Sequence, residues 1–157
     1  MVKLNLPTYN FRKKLEDGTE FIFDDIRKKF VVLTPEEWVR QNMIEYLKEK
    51  KYPKTLMAVE KQIRINEQPL RFDLLIYSRN GQPHLIAEFK APSVKLNQKA
   101  FDQVVRYNMA LKVPYIMVSN GLEHFFCTID YVKNTYSFLK EIPDFCDRCT
   151  SSGSGFS

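Results

Sequence analysis

Residues 71–90, RFDLLIYSRNGQPHLIAEFK, decide the fold because this stretch has the pattern of two strands joined by a tight turn. Alternating apolar residues in 71–77 and a longer apolar run in 84–90 are typical of strands that pack against a core. The dipeptide Asn-Gly at 80–81, between them, is the strongest short signal for a β-hairpin. The two strands are therefore predicted to be antiparallel neighbours.

The regions on either side of the hairpin predict an α/β domain with a mixed central β-sheet flanked by helices. A helix between two buried strands forms a crossover unit, so the strands at 84–90 and 114–118 should be parallel. The intervening helix, 97–112, has Ala100, Val104, Tyr107 and Leu111 on one face. Further strands are predicted at 20–26, 29–33, 57–65, 122–130 and 135–139.

A helix is predicted from Pro35 to about residue 50 by its start signals. Thr34 is a good N-cap, and Pro35 fits the first helical position. Glu36 and Glu37 place negative charge in the first turn, and Glu37 completes a capping box with Thr34. The buried stripe should include Val39, Met43, Tyr46 and Leu47.

The composition is that of an ordinary globular domain with a basic surface. The chain has 157 residues, 44% of them apolar, and a net charge of +5, which favours a polyanionic partner. No apolar run approaches the roughly 20 residues that span a bilayer, so we expect a soluble, cytoplasmic protein. We expect one domain over residues 1–145 and a Gly/Ser-rich tail over 146–157 that is disordered or derived from cloning.

Two classes of site are disfavoured by the residues that the chain lacks. It has no GxxxxGK[ST] phosphate loop and no GxGxxG fingerprint, which excludes nucleotide motors and dinucleotide enzymes and predicts no nucleotide cofactor in this chain. The CxxC pair Cys146 and Cys149 has no second pair, so these cysteines and Cys127 are predicted to be reduced and structurally incidental.

Charged residues interrupt the most hydrophobic strand. Glu88 and Lys90 lie two residues apart, so they project from the same face of the strand. On the partner strand, alternation places Phe72, Leu74 and Ile76 on one face and Asp73 on the other. Asp73 and Glu88 can therefore converge across the hairpin.

Two close carboxylates repel each other unless a cation lies between them, and Mg²⁺ or Mn²⁺ removes that conflict. Asp73 and Glu88 would be ligands, with the backbone carbonyl of Phe89 as a third. Lys90 would either orient and deprotonate the attacking water or stabilise charge on the phosphate in the transition state. The alternative is an ordinary ion-paired cluster on a half-exposed sheet face.

The spacing of Asp73 and Glu88-Phe89-Lys90, on a strand followed by a helix, resembles the PD-(D/E)XK nuclease superfamily, whose members cut nucleic acids with Mg²⁺. Gln103 and Tyr107 match the QxxxY pattern of its exonuclease-like branch. The resemblance implies a restriction-endonuclease-like core, in which Gln103 positions the site or the substrate. It also implies that an acidic residue of the first helix, Glu37 or Glu36, completes the metal site.

Five segments, TPEEWVRQ, RFDLLIY, AEFKAP, FDQVVRYN and VSNG, are similar to the N-terminal nuclease domain of type I restriction enzyme R subunits, over about residues 20–145. Phe72 departs from the superfamily pattern, which has proline before the aspartate. The R subunits also carry an ATP-driven translocase, for which this chain has no motif. The expectation is a free-standing nuclease, a homodimer, or a nuclease that uses separate motor or specificity subunits.

The resulting prediction is a Mg²⁺-dependent DNA endonuclease. Tyr107, Lys95, Lys99 and Arg106 are predicted to contact DNA, although a solvated helix face would also explain the basic residues. Two other functions remain open. One is a catalytically silent DNA-binding or assembly module with a nuclease fold, and the other is an RNA nuclease.

Overall fold

The structure is a computed structural model that describes residues 1–109 and 111–146, apart from the side chains of Ile65 and Tyr107. Two α-helices, a short 3₁₀ helix at Lys54–Leu56 and nine strands form this part of the chain. The strands are β1 (Lys13–Glu16), β2 (Thr19–Asp24), β3 (Lys29–Val32), β4 (Met57–Ile65), β5 (Gln68–Tyr77), β6 (Pro83–Phe89), β7 (Tyr115–Ser119), β8 (His124–Asp130) and β9 (Thr135–Leu139). The helices are α1 (Pro35–Glu49) and α2 (Gln98–Met109).

The central sheet has six strands whose spatial order, β4 to β9, is their order along the chain. All neighbouring pairs are antiparallel except β6 and β7, which are parallel and are joined through α2. Residues of α1 and of α2 belong to two separate hydrophobic clusters, as expected for helices on opposite faces of a sheet. The prediction of a mixed central β-sheet flanked by helices is confirmed.

The β5–β6 hairpin forms where Asn80-Gly81 predicts it. Gly81 has a φ of +84°, a left-handed conformation that glycine adopts without strain, and Ser78 N–H donates to the Gln82 carbonyl at 2.8 Å. Leu74 lies opposite Ala87 in the ladder. Extending this register by one residue places Asp73 opposite Glu88, which positions the predicted carboxylates on adjacent strands.

Helix α1 begins as its sequence predicts. The Thr34 hydroxyl accepts a hydrogen bond from the Glu37 N–H at 3.0 Å, and Pro35 is the first helical residue. The apolar face of α1 packs on the sheet in the first cluster, together with Leu74 and Ile76 of β5. The α1 residues in this cluster are Val39, Met43, Ile44 and Leu47.

Helix α2 differs from its prediction in length and in its buried face. It begins after Asn97, whose side chain accepts from the Ala100 N–H at 2.8 Å, and it ends at Met109 rather than at 112. Its buried residues are Phe101, Val105 and Asn108. Of the predicted face, Val104 and Leu111 pack partly buried against the second cluster, so the prediction was correct for them, but the most buried apolar residues of the helix are Phe101 and Val105, one position further along.

Strict alternation fails in β5 next to Asp73. Phe72 packs in the second cluster with Leu75, whereas Leu74 packs in the first, so the prediction that Phe72 and Leu74 share a face was wrong. On β4, Glu60 has a left-handed φ of +54° and lies at the position opposite Asp73 in the ladder. Such a conformation is costly for a residue other than glycine and is typical of functional sites.

Strands β1, β2 and β3 form a second, antiparallel sheet that precedes α1. The turn between β1 and β2 contains Asp17 and Gly18, both with positive φ. Ile22 of β2 is fully buried, and so is Asp24 at its end. This small sheet places the turn after Asp24 near the start of α1.

Within the described ranges, no helix is both long and apolar enough to cross a membrane. Cys127 is buried, which raises the pKa of its thiol to about 12, and Cys146 is half-buried. Cys149 and the rest of the predicted tail, 147–157, lie outside the described residues. The division into a domain over 1–145 and a tail stays a prediction.

We expect Gly121→Ala to destabilise the protein more than Gly81→Ala, by about 1–3 kcal/mol. Both glycines have left-handed φ values, so both alanines are strained. Only at Gly121 would the new Cβ lie 2.6 Å from Leu4 and 3.1 Å from Val39. Urea unfolding of the two variants measures the difference. Equal losses would mean that the N-terminal segment does not pack on Gly121 in solution.

Candidate active site

A groove of about 330 Å³ lies between β5, the C-terminal end of β6 and helix α2. It brings together Glu88, Lys90 and Gln103, three residues that the sequence predicts to act together. Lys90 and Gln103 are exposed, and Glu88 is half-buried. The groove is lined by Pro69, Leu70, Arg71, Phe72, Glu88, Lys90, Leu96, Ala100, Gln103, Val104 and Val118.

Asp73 adjoins the groove through Glu88. The two carboxyl groups lie close together across the hairpin, and a side-chain hydrogen bond between them contributes to the raised pKa of Glu88. Asp73 Oδ2 also accepts from the Phe89 N–H at 2.7 Å, which holds its carboxylate at the end of β6. Burial, together with the neighbouring Asp73 carboxylate, raises the pKa of Glu88 to about 8, and the Lys90 charge only partly opposes this.

The donor set of this pair suits a divalent cation. Among residues 1–109 and 111–146, no group of three or more histidine, cysteine, aspartate and glutamate side chains could hold a metal ion. Magnesium commonly takes one or two protein carboxylates, with water and phosphate oxygens as its other ligands. Asp73 and Glu88 meet that requirement, and a cation would relieve the conflict that raises the pKa of Glu88. The Phe89 carbonyl stays a predicted ligand.

The two acidic residues at the start of α1 have different environments. Glu36 is exposed, whereas Glu37 is buried, with 5% of its surface accessible. The Glu37 carboxylate accepts from Arg27, from Arg40 at 2.6 Å and from Gln41 at 2.9 Å. Glu37 is therefore the inward-facing residue, but it does not line the groove, and it reaches Asp73 only through Arg40.

Arg40 and Glu60 complete a network of charges that sequence reasoning missed. Arg40 Nη2 lies 3.5 Å from Asp73 Oδ1, and its Nη1 lies 3.6 Å from Glu60 Oε1. Glu60 also pairs with Arg71 at 3.2 Å. These partners are far apart in sequence, and no local pattern predicts such pairs. The left-handed backbone of Glu60 has no signature in the sequence either, because glutamate is an ordinary strand-surface residue.

The three basic residues predicted to contact DNA lie outside the groove lining. Lys95 is exposed in the loop before α2, and Lys99 and Arg106 are exposed on the helix. Because Lys99 precedes Gln103 by four residues and Arg106 follows it by three, all three lie on one side of α2. Position 107 is in α2, but the side chain of Tyr107 lies outside the described residues.

The fold and this groove define an α/β protein with a candidate acid–base site beside its crossover strand. Sequence comparison identifies it more closely: the chain belongs to the family of the type I restriction enzyme R protein N terminus (HSDR_N), which matches residues 35–143, about two thirds of the chain. The matched region includes α1, the hairpin and α2. The resemblance to type I restriction R subunits is confirmed.

Structural comparison gives the same answer for the fold. A fragment structure described as an HsdR subunit of a type I restriction enzyme from Vibrio vulnificus YJ016 is similar, with a TM-score of 0.53 and 19% sequence identity. The similarity covers 77% of this chain and 26% of that chain, so the present chain spans about a quarter of that structure. No curated protein is similar enough in sequence to count as a match.

We expect Glu88→Gln to stabilise the metal-free protein above pH 8 by an amount of the order of 1 kcal/mol, and to have little effect below pH 4.5. The unfolded state ionises Glu88 near its ordinary pKa of 4.5, whereas the folded state does so near 8. The contribution of Glu88 to the free energy of unfolding therefore falls as pH rises between these values. A glutamine side chain does not ionise, so the Glu88→Gln variant does not lose this stability.

Thermal unfolding of both proteins from pH 4 to 9, without divalent metal, measures this effect. The exposed Glu20→Gln is a matched control that removes one carboxylate from β2. A difference between wild type and Glu88→Gln that did not grow with pH would contradict the raised pKa.

Proposed function

We propose that the protein is a Mg²⁺- or Mn²⁺-dependent nuclease of the PD-(D/E)XK type that hydrolyses phosphodiester bonds in DNA. The observation that carries this proposal is the hydrogen-bonded pair Asp73 and Glu88, next to Lys90 and Gln103 in one groove beside the crossover strand. Membership of the restriction R-protein family supports a nuclease domain. The metal dependence and the choice of DNA belong to the proposal.

Four residues in or beside the groove have defined tasks in this mechanism. Asp73 and Glu88 would hold the metal ion, which would supply Lewis-acid activation of the phosphate and of water. Lys90 is exposed in the groove, so its ammonium can approach a phosphate oxygen and stabilise charge that develops on it. Gln103, on the α2 side of the groove, orients the substrate or the attacking water.

The environment of Glu88 couples metal binding to protonation. Because burial and Asp73 raise its pKa to about 8, much of Glu88 is protonated at neutral pH in the absence of metal. Binding therefore requires Glu88 to release a proton, and the metal affinity rises with pH up to about 8. The Asp73 carboxylate stays fixed meanwhile, since the Phe89 N–H holds one of its oxygens.

Membership of the R-protein family also suggests the partners. We infer that the domain works on DNA within a larger restriction assembly, with motor and specificity functions on separate subunits or segments, or as a homodimer. A single site of this size cuts one strand at a time, so cleavage of both strands requires two copies or two encounters.

One observation favours a second function, a catalytically silent DNA-binding or assembly module. The buried Arg40 lies 3.5 Å from Asp73 and can balance its charge without any metal. In that case the carboxylates would be structural, and DNA binding would depend on salt but not on Mg²⁺.

We expect Asp73→Asn and Lys90→Ala each to lower metal-dependent nicking of supercoiled plasmid at least a hundredfold, because each removes a group that acts on the reacting phosphate or holds its metal. Asparagine keeps an oxygen that can accept from the Phe89 N–H, so the fold should survive. Calorimetric titration with Mn²⁺ should show lost binding in Asp73→Asn only.

Lys133→Ala, on the exposed turn between β8 and β9, is the control with unchanged activity. Wild-type nicking rates in either site variant would refute the assignment. Mn²⁺-independent DNA binding without any cleavage would instead favour the silent module. Running single-stranded RNA in parallel shows which polymer is cut.

We expect the double variant Lys99→Ala/Arg106→Ala to weaken binding to duplex DNA in metal-free buffer and to flatten its salt dependence. Two lost phosphate contacts should lower the slope of log K against log salt by about 2. Fluorescence anisotropy at several salt concentrations measures the slope. A control variant, Lys133→Ala/Lys140→Ala, removes two exposed charges from the region around β9. Equal slopes for both variants would mean that DNA does not bind at Lys99 and Arg106.

A further inference from the structure

Arg27 lies in the turn between β2 and β3 and pairs with three different carboxylates. Its Nε donates to Asp24, its Nη2 donates to Glu37, and its Nη1 lies 3.5 Å from Glu60. Only 18% of the Arg27 side chain is accessible. A guanidinium presents five donors in a rigid planar fork that can span several acids at once, whereas the compact ammonium of lysine has three rotatable donors on one atom and lacks that fork.

Arg27 is itself fixed by the small sheet. Asp24 is fully buried, and its Oδ1 accepts from the backbone N–H groups of Ile26 at 2.7 Å and of Arg27 at 3.0 Å. Burial alone would raise the pKa of Asp24, but the hydrogen bonds from Arg27 hold it below its ordinary value. An ionised Asp24 thus anchors both the turn and the arginine side chain.

The chain of contacts continues from Arg27 to the candidate metal site. Glu37 accepts from Arg27 with one oxygen and from Arg40 with the other, and Arg40 reaches Asp73. The Nε of Arg40 is buried without a hydrogen-bond partner, so the position of this guanidinium depends on the contacts of its two Nη atoms. The shortest of these is the bond to Glu37 at 2.6 Å.

We propose that Arg27 is a positioning residue of the metal site, through which the β1–β3 sheet supports Asp73. Arg27 fixes Glu37, Glu37 fixes Arg40, and Arg40 fixes Oδ1 of Asp73, the oxygen that the Phe89 N–H does not hold. The match to the family model begins at residue 35, so Arg27 and its sheet lie before the matched residues. This role deepens the proposed nuclease function and rests on it.

The physical basis is that buried charges must keep their partners. Glu37 and Arg40 are both less than a tenth accessible, so water cannot replace a lost contact. A displaced Glu37 therefore carries Arg40 with it. Residues that hydrogen-bond to metal ligands and so hold them in place typically contribute ten- to a hundredfold to metal affinity.

The test is the variant Arg27→Lys, which keeps the positive charge. A change in its metal affinity therefore reports lost positioning rather than a change in electrostatic repulsion. We expect Mn²⁺ to bind this variant about tenfold more weakly than wild type in calorimetric titration. The matched control is Lys28→Arg, the charge-conserving change at the adjacent residue, which pairs with Asp25 on the exposed side of the turn. The control should bind Mn²⁺ normally.

A second measurement does not depend on metal. Urea unfolding of wild type, Arg27→Lys, Asp73→Asn and the double variant, all without metal, forms a double-mutant cycle. We expect the two changes to be non-additive, whereas Lys28→Arg with Asp73→Asn should be additive.

Unchanged or tighter Mn²⁺ binding by folded Arg27→Lys would overturn the proposal, and so would an additive cycle. If wild type itself binds no Mn²⁺, the proposed nuclease function fails instead. The cycle then decides alone whether Arg27 positions Asp73.

Discussion

The close approach of the Asp73 and Glu88 carboxyl groups, which cannot both ionise without repelling each other, is the constraint on which the rest of the structure depends. The register of one hairpin puts these carboxylates side by side, and partial burial reduces the water that would screen them. Two cationic side chains lie near this pair, one on each side. Arg40 approaches Asp73 from α1, and Lys90 approaches Glu88 from the groove. Much of the remaining architecture positions the Arg40 and Lys90 side chains.

The start of α1 is where local structure and the site meet. The backbone N–H of Glu37 binds the Thr34 hydroxyl and completes the helix cap, while its carboxylate binds Arg27 and Arg40. Glu37 therefore serves the N-terminal cap of α1 with its backbone and orients a charge network with its side chain. The capping box predicted from the sequence forms only in its first half, because the Glu37 side chain is used by the arginines and the Thr34 N–H donates to Val32.

Local patterns predicted the elements well, since alternation, the Asn-Gly turn and the Thr34 cap act between residues close in sequence. They also placed Asp73 beside Glu88, because both belong to one hairpin. They failed where packing or distant charges decide: Phe72 leaves its expected face, and Glu60 adopts a left-handed backbone beside Asp73. Arg40 lies 33 residues from Asp73, a separation that no periodicity connects.

The order of the strands in the central sheet has a consequence for folding. Because each strand pairs with the one before it, almost every pairing closes a short loop, at low entropic cost. The parallel β6–β7 pairing is the exception, since the connection between these strands is long and includes α2. The hairpin that unites the two acidic residues therefore closes its loop at a lower entropic cost than the β6–β7 pairing does.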